Sequence, residues 1–136
     1  MKQIIEFLSE LTLNNNRDWF NANKSKYLEA RDLFENFVDE LILNLQENDH
    51  SLKGLTAKKS VFRIYRDVRF SGDKSPYKTN FGAYMVGGGR KSGRSGFYLH
   101  LDPNESFLGG GLYQPEPQRL KAIRQEIFDF PDEFLS

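Results

Sequence analysis

No cysteine occurs among the 136 residues, which excludes disulfides, thiolate metal sites and a cysteine nucleophile. Small secreted domains commonly depend on disulfides, and this chain has none to offer. Net charge is lacking too, because 19 Lys and Arg offset 19 Asp and Glu. No apolar run approaches the ~18 residues of a transmembrane helix. The opening MKQIIEFLSELTLNNN is interrupted by Glu6 and Glu10, so it lacks the continuous apolar stretch of a signal peptide. A cytoplasmic protein without membrane association is expected.

Rings are what the chain has in quantity. Aromatic residues make up 14% of it, with twelve Phe and six Tyr. Large rings bury much area per residue, and this length suits one domain with a real core. The zero net charge is also unevenly distributed. Between Val61 and Gly96 eight basic residues face two acidic ones, a local +6 against −6 for the remainder. Such segregation concerns partners rather than fold. Its plainer explanation is a basic sheet neutralised by acidic helices within one domain.

Periodicity sets out the elements. Ile4, Ile5, Leu8 and Leu11 share one face of a helix over Lys2–Leu11. Three consecutive Asn end it, and Asn16 suits the N-cap of a second helical turn anchored by Trp19 and Phe20. A long helix is expected from about Lys24 to Gln46, with Tyr27, Ala30, Phe34, Phe37, Leu41 and Leu45 as its stripe, widened by Val38 and Ile42. Its acidic face (Glu29, Asp32, Glu35, Asp39, Glu40) is expected to be solvated, and Asp49–Lys59 to be a connector. Strands are expected over Val61–Phe70, Phe81–Val86, Phe97–Asp102 and Ser106–Tyr113. A helix from about Glu116 closes the chain. The class is α+β: N-terminal helices (one long), an antiparallel four-stranded meander, then a C-terminal helix. The ending IFDFPDEFLS carries apolar residues to its last positions. The expectation is therefore a single domain over 1–136 that forms the N-terminal part of a longer chain.

The chemistry concentrates in FRIYRDVRFSGDKSPYKTNF, Phe62 to Phe81. Alternation along a strand sends Arg63 and Arg69 to one face and Arg66 to the core side with Phe62, Ile64 and Val68. A cation on a core face must be paired, so Arg66 reads as structural, with Asp67, Asp73 or a helix carboxylate as partner. Arg63 and Arg69 read as ligand contacts, unless a bulge near Asp67 exchanges the two roles. Lys74 and Lys78 flank Tyr77, which would stack on a base or sugar while the lysines meet phosphates; packing of Tyr77 on the sheet is the alternative.

Gly88, Gly93, Arg94 and Ser95 imitate a phosphate loop, but a strand follows where a helix should, so nucleotide-triphosphatase chemistry is excluded. A basic hairpin tip touching phosphates stays open, beside a plain solvated turn. Gly109, Gly110 and Gly111 inside a strand pattern cost about 0.5–1 kcal/mol each. They imply a bulge, a bulky side chain crossing the sheet, or a ligand lying on bare backbone. Tyr98, His100 and Asp102 share one strand face. His100 is the one candidate for a catalytic base, while two potential ligands do not make a metal site. Neither metal nor organic cofactor is expected.

The stretches FRIYRDVRFSGDKSPYKTNFGAYM, GFYLHLDP, SFLGGGLYQPEP and NNNRDWFNANKSKY resemble a bacterial family known as domain of unknown function 2461. The resemblance runs from Phe7 onward and touches Arg17, Trp19 and Phe20, Arg63–Phe70, Lys74–Lys78, Gly109–Gly111 and Pro115–Pro117. It implies a longer chain, and neither substrate nor catalytic residue. From the residues themselves three functions are expected in order. The first is a binding module in which Arg63, Arg69, Lys74, Tyr77, Lys78 and Gly109–Gly111 hold a phosphorylated small molecule or nucleic acid. The second is a hydrolase or transferase on a phosphate-bearing or acidic substrate. The third is a structural domain whose charges cancel internally.

Overall fold

The computed structural model describes residues 1–136. Helix α1, Lys2–Leu13, buries Ile4, Phe7, Leu8 and Leu11 on one face. At its end the Asn14 side chain donates to the Glu10 carbonyl at 2.9 Å. Asn16 then caps α2, Arg17–Ala22, by accepting from the Trp19 amide at 2.9 Å, as its position in the sequence suggested. Helix α3, Lys24–Leu45, buries Tyr27, Ala30, Phe34, Val38 and Ile42. The stripe is therefore centred on Val38 and Ile42, while Phe37, Leu41 and Leu45 pack at its margin.

The stretch after α3 is more structured than a connector. Asp49 caps a 3-10 turn at His50–Leu52, and α4, Ala57–Ser60, follows. Asp39 of α3 accepts from the Ala57 amide at 2.7 Å. One carboxylate of the supposedly solvated face thus satisfies a helix-end donor that would otherwise stay unpaired.

Three strands form the sheet, β1 Phe81–Met85, β2 Gly96–Leu101 and β3 Phe107–Gly111, antiparallel and in chain order. Its inner face, carrying Phe81, Ala83, Met85, Leu99 and Leu101, lies in one buried cluster with α1 and α3. Phe81 packs 5.3 Å from the Phe34 ring and 6.2 Å from Phe7. Rings of this size contribute about 1.5–3 kcal/mol each on burial.

The expected four-stranded meander is corrected to three strands. Residues 61–70 form no regular strand: their bridges are two isolated ones, Val61 with Ala83 and Tyr65 with Tyr77, and the backbone turns at Arg69 and Phe70. Phe62 donates to the Gly82 carbonyl, and the chain then leaves β1. Arg66 pairs with its own return at Pro76, and Lys78 with Ile64. Beyond Arg66 side chains replace the ladder: Arg66 donates to Asp73 at 2.5 Å and to the Ser75 carbonyl at 3.1 Å. Backbone pairing was satisfied locally instead of along a strand.

Helices α5, Pro117–Asp129, and α6, Pro131–Leu135, each start on a proline and bury no residue. Arg119 of α5 donates to the Gly93 carbonyl, linking α5 to the connection between β1 and β2.

Candidate functional site

The outer face of the sheet follows directly from its register. Gly82 and Tyr84 of β1 lie opposite His100 and Tyr98 of β2. Tyr98, His100 and Gly96 in turn face Gly109, Phe107 and Gly111 of β3. Half of these outward positions are glycine, so the face is a backbone floor with rings standing around it. An open hollow of ≈ 960 Å³ lies over this floor. Phe62, Lys78 and Asn80 border it on one side, Arg90 and Arg94 come from the β1–β2 connection, and Leu112 and Tyr113 follow β3.

The glycines differ in what they serve. A Cβ on Gly96 would sit 2.6 Å from the Met85 carbonyl oxygen and 2.7 Å from Val86 Cβ, so the chain itself requires that glycine. A Cβ on Gly82 would meet the Tyr98 hydroxyl at 3.0 Å, so this glycine lets Tyr98 lie across β1. Gly109 is unlike both, since a Cβ there would meet nothing within 4 Å. No side chain of this protein crosses the sheet over Gly109, and the hollow is what its bare backbone opens.

The rings form a chain. Phe62 meets Tyr98 edge-on at 6.4 Å, Tyr98 lies 5.8 Å from Phe107, and His100 stacks on Phe107 at 5.1 Å. The Tyr98 hydroxyl and His100 Nδ1 are 2.9 Å apart and share a hydrogen bond. Burial, then Tyr113, pushes the Tyr98 phenol above its usual range.

The charge in the hollow has one sign. Lys78, Arg90 and Arg94 line it and no Asp or Glu does. None of these three cations belongs to an ion pair. Phe62 is flanked by Lys78 Nζ at 5.6 Å and the Arg90 guanidinium at 4.9 Å from its centroid, an arrangement that orders both cations. Lys78 Nζ also donates to the Arg63 carbonyl at 2.9 Å. Burial, then the Arg63 and Arg90 guanidiniums, holds the Lys78 amine below the usual lysine range. The Tyr84 hydroxyl donates to the Arg94 carbonyl at 2.9 Å, tethering the glycine-rich connection to the sheet. No three His, Asp or Glu side chains are grouped to share a metal ion.

The structure brings together part of the expected set. Lys78, Gly109, Gly110, Gly111 and His100 all line the hollow, although Gly110 directs its missing side chain toward Phe97. Arg63 reaches it only through its carbonyl. Arg69 is held by Asp67, its Nε and Nη2 donating at 2.9 and 2.6 Å. Lys74 donates to the Val68 carbonyl at 2.9 Å and lines a separate, smaller hollow with Asn15, Asn16 and Arg17. Tyr77 is buried and stacks on Phe20 at 3.9 Å, so it is a core ring. Arg66 is paired through Asp73, Ser71 and the Ser75 carbonyl, within its own loop; the shared core face expected for it and Phe62 is corrected, since Phe62 lines the outer hollow.

Phe62, Gly82, Gly96, Tyr84, Tyr98, Arg90 and Arg94 were absent from the expected ligand set. Their signal was available: FGAYM and GFYLHL alternate apolar inward residues with Gly, Tyr and His outward. Outward glycine at paired positions marks a cleared floor as surely as a glycine run does.

A family model described as "Conserved hypothetical protein (DUF2461)" matches residues 3–136. No curated protein and no solved structure matches the chain.

Proposed function

The chain belongs to this family of conserved hypothetical proteins, and on that footing we propose that it is a cytoplasmic binding module whose outer sheet face takes a small, phosphorylated ligand with a planar group. The observation that carries the reading is the lining itself: three unpaired cations, a chain of rings, a glycine floor and no carboxylate. The planar group rests on the bare backbone at Gly109, beside Tyr98 and Phe107. The anionic group meets Lys78 and Arg90. The volume falls at the upper end of small-molecule sites, and the floor is only about five residues long per strand, which favours a compact metabolite over a nucleic-acid strand.

Calorimetric titration with a nucleoside monophosphate, the matching nucleoside and inorganic phosphate tests this. Stoichiometric binding of the monophosphate is expected, with the nucleoside weaker by at least about tenfold, or ~1.4 kcal/mol. Equal affinity for nucleoside and nucleotide contradicts the role given to Lys78 and Arg90. An oligonucleotide that binds tighter than the monophosphate, with affinity falling steeply as salt rises, would transfer the proposal to nucleic acid.

The Tyr98–His100 hydrogen bond favours a second reading, a hydrolase or transferase on a phosphate-bearing substrate. There His100 moves the proton and the cations stabilise developing negative charge. A His100→Asn protein that binds normally yet loses turnover of that substrate would separate the two.

A further inference from the structure

Among the ten lysines of the chain, Lys78 alone is half-buried and all others are exposed. Its amine is fixed by the Arg63 carbonyl at 2.9 Å and lies against the Phe62 ring. The Arg90 guanidinium stands over the same Phe62 ring, Arg63 adds a second positive charge whose field reaches it, and no carboxylate lines the hollow to hold it protonated. A lysine desolvated against a ring and set beside other cations is the arrangement that turns an ammonium into a nucleophile.

We infer that Lys78 is a carbonyl-capturing amine, and that the ligand class of the hollow is an anionic aldehyde or ketone, held as an imine; the inference rests on the anion-site reading above. The free amine lone pair adds to the carbonyl carbon. The carbonyl π pair passes to oxygen, which takes the proton released from nitrogen. The resulting carbinolamine expels its hydroxyl with a second proton as water, leaving a C=N bond. Starting from the ammonium form, one proton is retained and the product is the iminium, so no outside acid, oxidant or reductant is consumed. Arg90 and Arg94 supply the charge that holds the anionic end. The lowered basicity of the amine, caused by burial and the two guanidiniums, agrees with this geometry.

The test is residue-resolved labelling of the whole chain by pyridoxal 5'-phosphate or by acetaldehyde, each trapped with borohydride and mapped by mass spectrometry, with and without inorganic phosphate. The expected result is that Lys78, though the least exposed, is labelled fastest by both aldehydes, by at least about fivefold over any other lysine. Phosphate should protect it from pyridoxal 5'-phosphate while the other lysines are unaffected. Lys78→Arg should abolish the fast label while the labelling of the other lysines and the thermal unfolding midpoint stay at the parent values. Fast labelling by pyridoxal 5'-phosphate alone, with acetaldehyde unselective, overturns the nucleophile and leaves the anion site standing. Selective acetaldehyde labelling without phosphate protection overturns the anionic ligand class. Labelling that follows exposure overturns the inference outright.

Discussion

Replacing Gly109 by valine should leave the fold intact and close the site. The backbone there is ordinary extended strand, since Gly109 is not among the positive-φ glycines. A Cβ would meet no atom within 4 Å, so the branch point itself causes no overpacking. Relief of glycine's excess chain entropy stabilises the strand by about 0.5–1 kcal/mol. At an m-value of about 2 kcal/mol/M, that moves the urea midpoint upward by about 0.3–0.5 M. The valine methyls project opposite Tyr98, its cross-strand partner, into the space assigned to the planar group. Affinity for a nucleoside monophosphate should fall by more than about tenfold. Gly96→Ala provides the contrast: its Cβ would stand 2.6 Å from a backbone oxygen, and a loss of about 1–3 kcal/mol is expected. Urea unfolding and calorimetry on the same samples decide the matter. A Gly109→Val protein destabilised by more than about 1 kcal/mol, or one that binds unchanged, refutes the argument.

Tyr77→Ala should cost about 3–5 kcal/mol, as for a buried ring, measured by thermal or urea unfolding; a change below about 1 kcal/mol would return Tyr77 to the surface role its sequence context suggested. Arg69→Ala should leave the urea midpoint within replicate scatter of the parent, because its pair with Asp67 is exposed, and it should leave ligand affinity unaltered. Hydrogen bonds from the Ser75 hydroxyl and amide, then Arg66, hold the Asp73 carboxyl down from 3.8 to about 2. A depressed carboxylate stabilises the fold above its unfolded pKa and loses that contribution as pH falls through the folded one. The stability difference between the parent and Asp73→Asn proteins should therefore be constant near neutral pH and shrink between pH 3.8 and about 2. A difference that grows on acidification contradicts the assignment.

Much of the fold could be read from spacing. The limits of α3 and the Asn16 cap follow from 3.6-residue periodicity and from one side-chain oxygen within reach of an unpaired amide. These are local rules, and local sequence satisfies them. The segment 61–70 fails the same treatment because strand formation needs a partner. Arg66, Asp73 and Ser75 bond to one another across the loop, and no pattern along one segment reports that choice. The site divides the same way. His100, Lys78 and Gly109–Gly111 were visible as unusual residues. Arg69 and Tyr77 were misplaced because an Asp two residues away and Phe20 of α2 claim them. A cation's freedom depends on its tertiary neighbours, and so does a ring's.

Amide shift mapping during titration with a nucleoside monophosphate addresses the outer sheet face most directly. Gly82, Gly96, Gly109 and Gly111 should move together along one binding curve, with Arg90 and Arg94 following and the buried Phe81, Ala83 and Leu99 nearly still. Shifts gathered instead around Arg17 and Lys74, or none at saturating ligand, would contradict the account.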